Sequence, residues 1–377
     1  MGKSITPNKI KQNNRILIYQ YIYENSPVSQ QDISYNLHLS RPTVTSNLTA
    51  MESDGLIQKS GLIDTEFVGR KATAYTIVPD FRVGIGVEIL RQKVKIIVVN
   101  LYGQKIDRRV LDIVYENTDA YCKTVCEQIL DFKNALGIFD HQILGIGFAM
   151  QALISPDQQT ILYGKILSCT GLSITAFTKY LPYPCTFVHD ADSAAISELW
   201  LSPTLKNALY LSISTHLGAA IISDGKILSG KHGHSATIEH IPIQPNGKTC
   251  YCGKSGCVET LCSLSALLNE KETLSDFFMH VRNQENSYVV RWEQFLTNLA
   301  QVINLVHLIF DIDFILGGYL ASYLQETDIV FLHEKIRQIT PFEEQSDFLC
   351  ISKMPKHNIS IGAALPYIQA FFNQMQV

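Results

Sequence analysis

The sequence predicts an α/β chain in which a small helical module with a two-stranded hairpin precedes a two-lobed α/β body. Three observations lead there. Residues 1–79 carry helical hydrophobic periodicity and then two short alternating segments. From Phe81 onward, runs of apolar β-formers alternate with a long helical pattern. The same order of strands followed by helices recurs from Asn207. At 377 residues the chain is long enough for two or three cores. We divide it into 1–79, 80–200 (completed by about 355–377) and 201–354.

In the first module Ile16, Ile18, Tyr19, Ile22 and Tyr23 recur at helical spacing between Asn14 and Glu24, and Pro27 interrupts. Ser29 is placed to cap a second short helix that turns Ile33 and Leu37 inward. Ser40 precedes Arg41-Pro42, and proline suits a first helical turn. The third helix then runs to about Ser53, with Val44, Leu48 and Met51 on one stripe, and Asp54-Gly55 ends it. Residues 56–58 and 74–77 read as two strands, joined by a loop holding Gly61, Gly69, Arg70 and Lys71. Three helices followed by such a wing make a winged helix-turn-helix.

The third helix is the expected reader of duplex DNA. With its apolar stripe inward, Pro42, Thr45, Ser46 and Thr49 face outward, flanked by Arg41, Thr43 and Asn47. Hydroxyl and amide side chains hydrogen-bond phosphates and base edges, and such a helix fits a major groove. Residues 1–50 carry a net charge of +3 although the whole chain carries −4. That local excess has the sign a polyanion requires, and Arg70 and Lys71 on the wing add to it. The plainer alternative is a helical module that docks protein.

In the body, residues 83–90 and 94–101 read as buried strands, and Tyr102-Gly103 turns into a third around Val110. A helix follows over 120–136, then a strand over 143–149. The second set comprises 207–214, 218–223 and 226–228. No run of eighteen apolar residues occurs and the chain starts on polar residues, so we expect a cytoplasmic protein without a membrane partner. Cys122, Cys126, Cys169, Cys185, Cys262 and Cys350 are scattered, as suits a reducing compartment.

The remaining cysteines are patterned. His240, Cys250, Cys252 and Cys257 lie within eighteen consecutive residues. Tetrahedral zinc takes nitrogen and sulfur ligands in that ratio, and four protein ligands leave no open position for chemistry. The cluster therefore reads as a closed, structural Zn2+ site. His232 and His234 are weaker candidates for the nitrogen ligand, and a set of buried or disulfide-bonded cysteines is the bland alternative.

These residues carry a resemblance that covers nearly the whole chain. Glu239-His240, Cys250-Tyr251-Cys252-Gly253, Gly256-Cys257 and Val258-Glu259 are similar to the Gly-His, Cys-x-Cys-Gly and Gly-Cys-Leu-Glu signature of the ROK family of sugar kinases and sugar-responsive repressors. Residues 189–195 resemble its Asn-Asp-Ala-Asn-Ala-Ala block, and 314–318 its late Gly-Gly turn. The resemblance implies a two-lobed actin-like ATPase body of the ribonuclease H-like kind, and the winged helix implies the repressor branch.

The departures bear on function. Where the kinases carry Asp-x-Gly-Gly-Thr-Lys, this chain has Glu88, Ile89, Leu90, Arg91, Gln92 and Lys93. Where they carry Gly-Thr-Gly-x-Gly, it has Ser214, Thr215, His216, Leu217 and Gly218. Backbone N–H groups cannot wrap a phosphate past such side chains, so we expect kinase activity to be lost. Asp190 matches the kinases' catalytic base, and without ATP it can still accept hydrogen bonds from sugar hydroxyls; helix capping is its alternative role. The resemblance gives His240 a second nitrogen for sugar and makes Glu259 an acidic sugar contact. The family's Asn before the catalytic Asp is His189, and its Glu three residues before the zinc His is Thr237. Its Pro-Gly is Gln151-Ala152, and Lys165 stands where Asn is common. The expected effector site is therefore His189, Asp190, Thr237, His240, Glu259 and Lys165. It is either retuned, for instance to an acidic or phosphorylated sugar met by Lys165, His189 or Arg91, or decayed. The reading is a repressor of carbohydrate genes that binds operator DNA as a homodimer or homotetramer and answers to a sugar or sugar phosphate. A divergent sugar kinase with a DNA-binding head is the alternative.

Overall fold

A computed structural model describes residues 7–63, 71–342, 347–354 and 357–375. The head comprises α1 (Pro7–Asn25), β1 (Val28–Ser29), α2 (Gln30–Asn36), α3 (Arg41–Ser53), β2 (Ile57–Ile63) and β3 (Ala72–Ile77). Ser29 starts α2 through a reciprocal cap. Its Oγ accepts from Asp32 N at 3.1 Å, and Asp32 Oδ2 accepts from Ser29 N at 2.8 Å. Ser40 Oγ caps α3 by accepting from Thr43 N. Val44, Leu48 and Met51 are buried, as the stripe requires. The expected two-stranded wing gains a strand, because β1 pairs antiparallel with β3 in the order β1-β3-β2. Two residues of strand between helices carry no periodicity to read. Arg70 and Gly69 lie outside the described residues.

The body holds two five-stranded sheets. The first contains β4 (Val83–Ile89), β5 (Val94–Val99), β6 (Lys105–Leu111), β7 (Ile143–Met150) and, beyond the short β8 (Leu153–Ile154) and β9 (Ile161–Tyr163), β10 (Cys185–His189). Its order is β10-β7-β4-β5-β6, antiparallel from β4 through β6 and parallel from β4 through β10. Helices α4 (Asp119–Ala135), α5 (Thr175–Thr178) and α6 (Asp190–Leu201) accompany it. Cys122 and Cys126 are buried on the core face of α4, where burial pushes the Cys122 thiol up to about 11 and the Cys126 thiol to about 12. They are packing residues.

The second sheet contains β11 (Ala208–Ile213), β12 (Leu217–Ser223) and β13 (Lys226–Ile227). After α7 (Glu259–Cys262), α8 (Leu264–Leu267), α9 (Leu274–Arg282) and α10 (Asn286–Phe310) come β14 (Asp313–Gly317), α11 (Glu326–Ile339) and β15 (Leu349–Ile351). Its order is β13-β12-β11-β14-β15, so the strand pattern of the first sheet recurs. The last helix, α12 (Asn358–Met375), returns to the first sheet and packs on β4, β5, β7 and α6. It lies so close that a Cβ at Gly86 would sit 1.7 Å from the Ser360 carbonyl oxygen. The bare strand surface thus lets helix backbone rest on sheet backbone.

The head is not free-standing. Ile18, Tyr19 and Ile22 of α1 share one apolar core with Ile97 and Val99 of the first sheet, Leu101 in the turn after β5, and Ile368 and Phe372 of α12. Tyr23 stacks on Tyr102 at 4.9 Å and meets Phe372 at 4.3 Å. Among the described residues no helix is long and apolar enough to cross a membrane.

Candidate functional site

The metal loop is built by tight backbone turns. Cys250 N donates to Lys254 O at 2.7 Å and Gly253 N to Cys250 O at 2.8 Å, which folds the Cys-x-Cys segment back on itself. Gly256, at φ +74°, passes so near Gln244 that a Cβ would lie 1.8 Å from its carbonyl oxygen. One ligand atom from each of His240, Cys250, Cys252 and Cys257 lies within 4.8 Å of the others. His240 Nδ1 faces Cys250 Sγ at 3.7 Å, and Cys252 Sγ faces Cys257 Sγ at 3.8 Å. Zn–S bonds of about 2.3 Å in a tetrahedron put sulfurs roughly 3.8 Å apart, so the four residues fit zinc. Burial pushes the Cys250 thiol up to about 12, and a bound dication is what would make such thiols thiolates. His232 and His234 are exposed and stand outside the cluster.

The other face of His240 looks into a cleft between the two sheets. Gln151, Tyr163, Lys165, His189, Asp190, His216, Glu239, His240 and Tyr251 line it, and it encloses only about 30 Å³. That is room for roughly one or two waters, so a sugar ring requires the walls to part. Asp190 begins α6, at the carboxyl end of a parallel strand, and its Oδ1 accepts from Ala191 N at 2.9 Å. His189 Nε2 lies 3.3 Å from Asp190 Oδ1, and its Nδ1 lies 3.9 Å from Asp192. Burial opposes the His189 charge, but the carboxylates of Asp192, Asp190 and Glu239 outweigh it and raise its pKa to about 9. Burial pushes the Glu239 carboxyl up to about 7.

Four of the six expected effector residues therefore meet: Lys165, His189, Asp190 and His240. Two do not. Glu259 is buried behind the cleft, where it accepts from His216 Nδ1 and from Leu217 N, both at 2.8 Å. It fixes the loop that carries His216 and Leu217. Thr237 turns away, its Oγ1 donating to His234 O, because the chain enters a short 3-10 turn over Ile238–His240. Arg91 is exposed and donates to Ile166 O, so it is not in the cleft either. Glu239, Tyr163 and Tyr251 were missed, and Gln151, noted in the sequence only as a departure from Pro-Gly, lines the cleft with them. Glu239 sat in plain view beside the metal histidine, and only the turn geometry reveals its direction.

A second cavity of about 580 Å³ opens where the resemblance places a nucleotide, lined by Glu88, Lys95, Arg108, Gly318, Tyr319 and Asn358 among others. Glu88 is fully buried there. Its carboxylate accepts from Lys95 Nζ at 3.1 and 3.2 Å and from Ser360 Oγ at 3.2 Å, and Lys95 also reaches Tyr319 OH at 3.4 Å. An internal ion pair thus lies on the wall of this cavity.

On the head, Arg41, Pro42, Thr45, Ser46 and Thr49 are exposed along α3, and Thr43 is half-exposed. Asn47 is a correction. It is 5 % exposed and its Nδ2 donates to Thr43 O at 2.8 Å, so its place on the helix flank turns it into the core. Lys71 is exposed beside β3. Gln30, which the sequence did not suggest, donates to Thr45 Oγ1 at 2.6 Å and orients that hydroxyl.

Comparison with known proteins agrees with this geometry. The ROK family model matches residues 84–364, and a winged helix-turn-helix DNA-binding model matches 12–58. The xylose repressor of Caldicellulosiruptor bescii is 24 % identical over 356 residues, covering 87 % of this chain and 88 % of that one. The N-acetylglucosamine repressor of Shigella flexneri is 24 % identical over 263 residues, 68 % of this chain and 64 % of that one. Among solved structures, a ROK family transcriptional regulator, a homolog of the Escherichia coli MLC protein, superposes with a TM-score of 0.75 at 22 % identity, covering 97 % of this chain and 98 % of that one. A ROK family glucokinase from Streptomyces griseus superposes with a TM-score of 0.66 at 18 % identity, covering 76 % of this chain and 99 % of that one. With the family model matched along most of its length, the chain belongs to the ROK family and carries a winged helix-turn-helix at its head.

Proposed function

We propose that this protein is a sequence-specific DNA-binding transcriptional regulator, a repressor of carbohydrate genes, whose effector is a sugar bound in the cleft at Asp190 and His240. The observation that carries the reading is the union in one chain of a winged helix-turn-helix head and a ROK family body. Two sugar-responsive relatives are repressors by name, which supports the same assignment. Kinase activity is lost in this reading: Leu90 and Arg91 stand where glycines wrapped phosphate, and Glu259 holds His216 in the second loop.

The contacts with operator DNA come from Arg41, Pro42, Thr43, Thr45, Ser46 and Thr49 on α3, with Lys71 beside β3 and its sequence neighbour Arg70. Zinc on His240, Cys250, Cys252 and Cys257 is structural and stiffens the wall that carries His240. The protein is cytoplasmic, and its units are 1–79, 80–200 with 355–377, and 201–354. A homodimer or homotetramer presents paired heads to paired half-sites. Electrophoretic mobility shift of DNA from upstream of its own gene tests the assignment: a discrete, competitor-resistant complex is expected, and binding no tighter than to random duplex contradicts it.

A divergent sugar kinase is the second reading, and the retained Asp190 favours it. Phosphate transfer from ATP to a sugar panel separates the two, since the repressor reading expects none.

A further inference from the structure

Glu239 is the one buried acid among the described residues left with an unpartnered carboxyl oxygen. The other buried carboxylates are served. Glu88 has Lys95 and Ser360, Glu198 has Ser352, Glu259 has His216 and Leu217 N, and Asp328 has Trp292 and Gln325 N. Glu239 is 6 % exposed and lines the cleft, yet its Oε2 meets no donor and its Oε1 stands 3.8 Å from His240 Nε2. Where the family resemblance puts glycine before the metal histidine, this chain has put an acid, and Thr237 has lost the family's own carboxylate three residues earlier.

An orphaned buried oxygen is costly, so whatever fills the cleft gains by bringing a partner to it. The surroundings narrow the choice. Of the basic groups, His189 is held by Asp190 and Asp192, His216 by Glu259, and Arg91 by Ile166 O, which leaves Lys165 at the exposed rim. An anionic group placed deep in the cleft would face both Asp190 and Glu239 with no uncommitted cation beside it. A hydroxyl suits Glu239 in either protonation state, because it donates and accepts.

We propose that Glu239 is a specificity-determining effector contact, and that it selects a neutral polyhydroxylated sugar, one hydroxyl of which hydrogen-bonds Oε2, over sugar phosphates and sugar acids. This rests on the reading of the cleft as the effector site. The acidic or phosphorylated effector considered from sequence is the competing outcome of the test.

The test is thermal shift and calorimetric titration of the full zinc-loaded chain against xylose, glucose, N-acetylglucosamine, glucosamine, glucose 6-phosphate and glucuronate. A neutral sugar is expected to bind. Deoxygenating that sugar one position at a time should reveal one hydroxyl whose loss weakens binding to wild type about 10- to 100-fold. In Glu239→Ala that deoxy analogue and its parent should bind equally, whereas a merely structural role would weaken all ligands alike and preserve the discrimination. Glu239→Gln, which keeps the shape and an acceptor, should retain part of it. Preserved discrimination in Glu239→Ala overturns the inference and leaves the effector reading intact. So does tighter binding of glucose 6-phosphate, glucuronate or cationic glucosamine than of any neutral sugar. Failure of every compound to bind wild type overturns both.

Discussion

Lys95 shows how one residue's role depends on a partner distant from it in function. Its ammonium pairs with a fully buried Glu88 carboxylate on the wall of the second cavity. Lys95→Met should cost about 3 kcal/mol, because it leaves a buried charge uncompensated. The low end of the usual range applies, since Lys95 keeps 23 % of its side-chain surface exposed. Urea denaturation checks this, and a change under about 1 kcal/mol would mean that water already serves Glu88. Gly86 makes a second residue-scale case. Gly86→Ala forces a methyl into the Ser360 carbonyl and should lower stability by several kcal/mol, measurable as a fallen melting midpoint. The glycines of this strand were visible in the sequence, but their reason was not, because the helix that rests on them lies more than 270 residues away. Glu239 was hidden for a similar cause: spacing along the chain marks metal ligands, whereas the direction of the residue beside one is set by a three-residue turn.

At the scale of elements, α3 and the metal loop carry separate expectations. Thr45→Ala with Ser46→Ala should weaken operator binding about tenfold, roughly 1.4 kcal/mol for the two lost hydroxyls together, with the fold retained. Fluorescence anisotropy checks the affinity and circular dichroism the fold. The metal loop should hold one zinc per chain, lost in Cys252→Ser by elemental analysis. Loss of the ion frees the segment that positions His240 and Glu239, so effector binding should fall with it while the head still binds DNA. Both elements were legible because each rests on a local rule: a Ser cap and Pro at the start of α3, and four ligands of the right kind within eighteen residues. Asn47 was not, since a flank position on a helix is decided by what packs beside it. Thr237 and Glu259 were carried from the family pattern, and the local chain path moved both out of the cleft.

For the whole molecule, the sequence reading of two α/β lobes behind a winged head holds, yet the junction was invisible to it. Apolar residues of α1, the first sheet and α12 each explained their own element's core, and only the tertiary structure merges them into one. That merger joins the cleft to the head through packed elements. Asp190 opens α6 in the cleft, α6 packs along α12, and the far end of α12 packs against α1 through Phe372 and Tyr23. If the proposed effector parts the cleft, it acts on elements continuous with the winged head. Phe372→Ala opens this joint, and it should reduce the response of operator affinity to sugar more than it reduces affinity itself.

The most direct measurement is anisotropy of the full chain on its own operator, titrated with the sugar that binds the cleft and separately with MgATP. The account predicts that sugar changes operator affinity by about 5- to 150-fold, that MgATP changes nothing, and that no sugar phosphate forms. Turnover of ATP and sugar to a sugar phosphate, with operator affinity indifferent to the sugar, would contradict it.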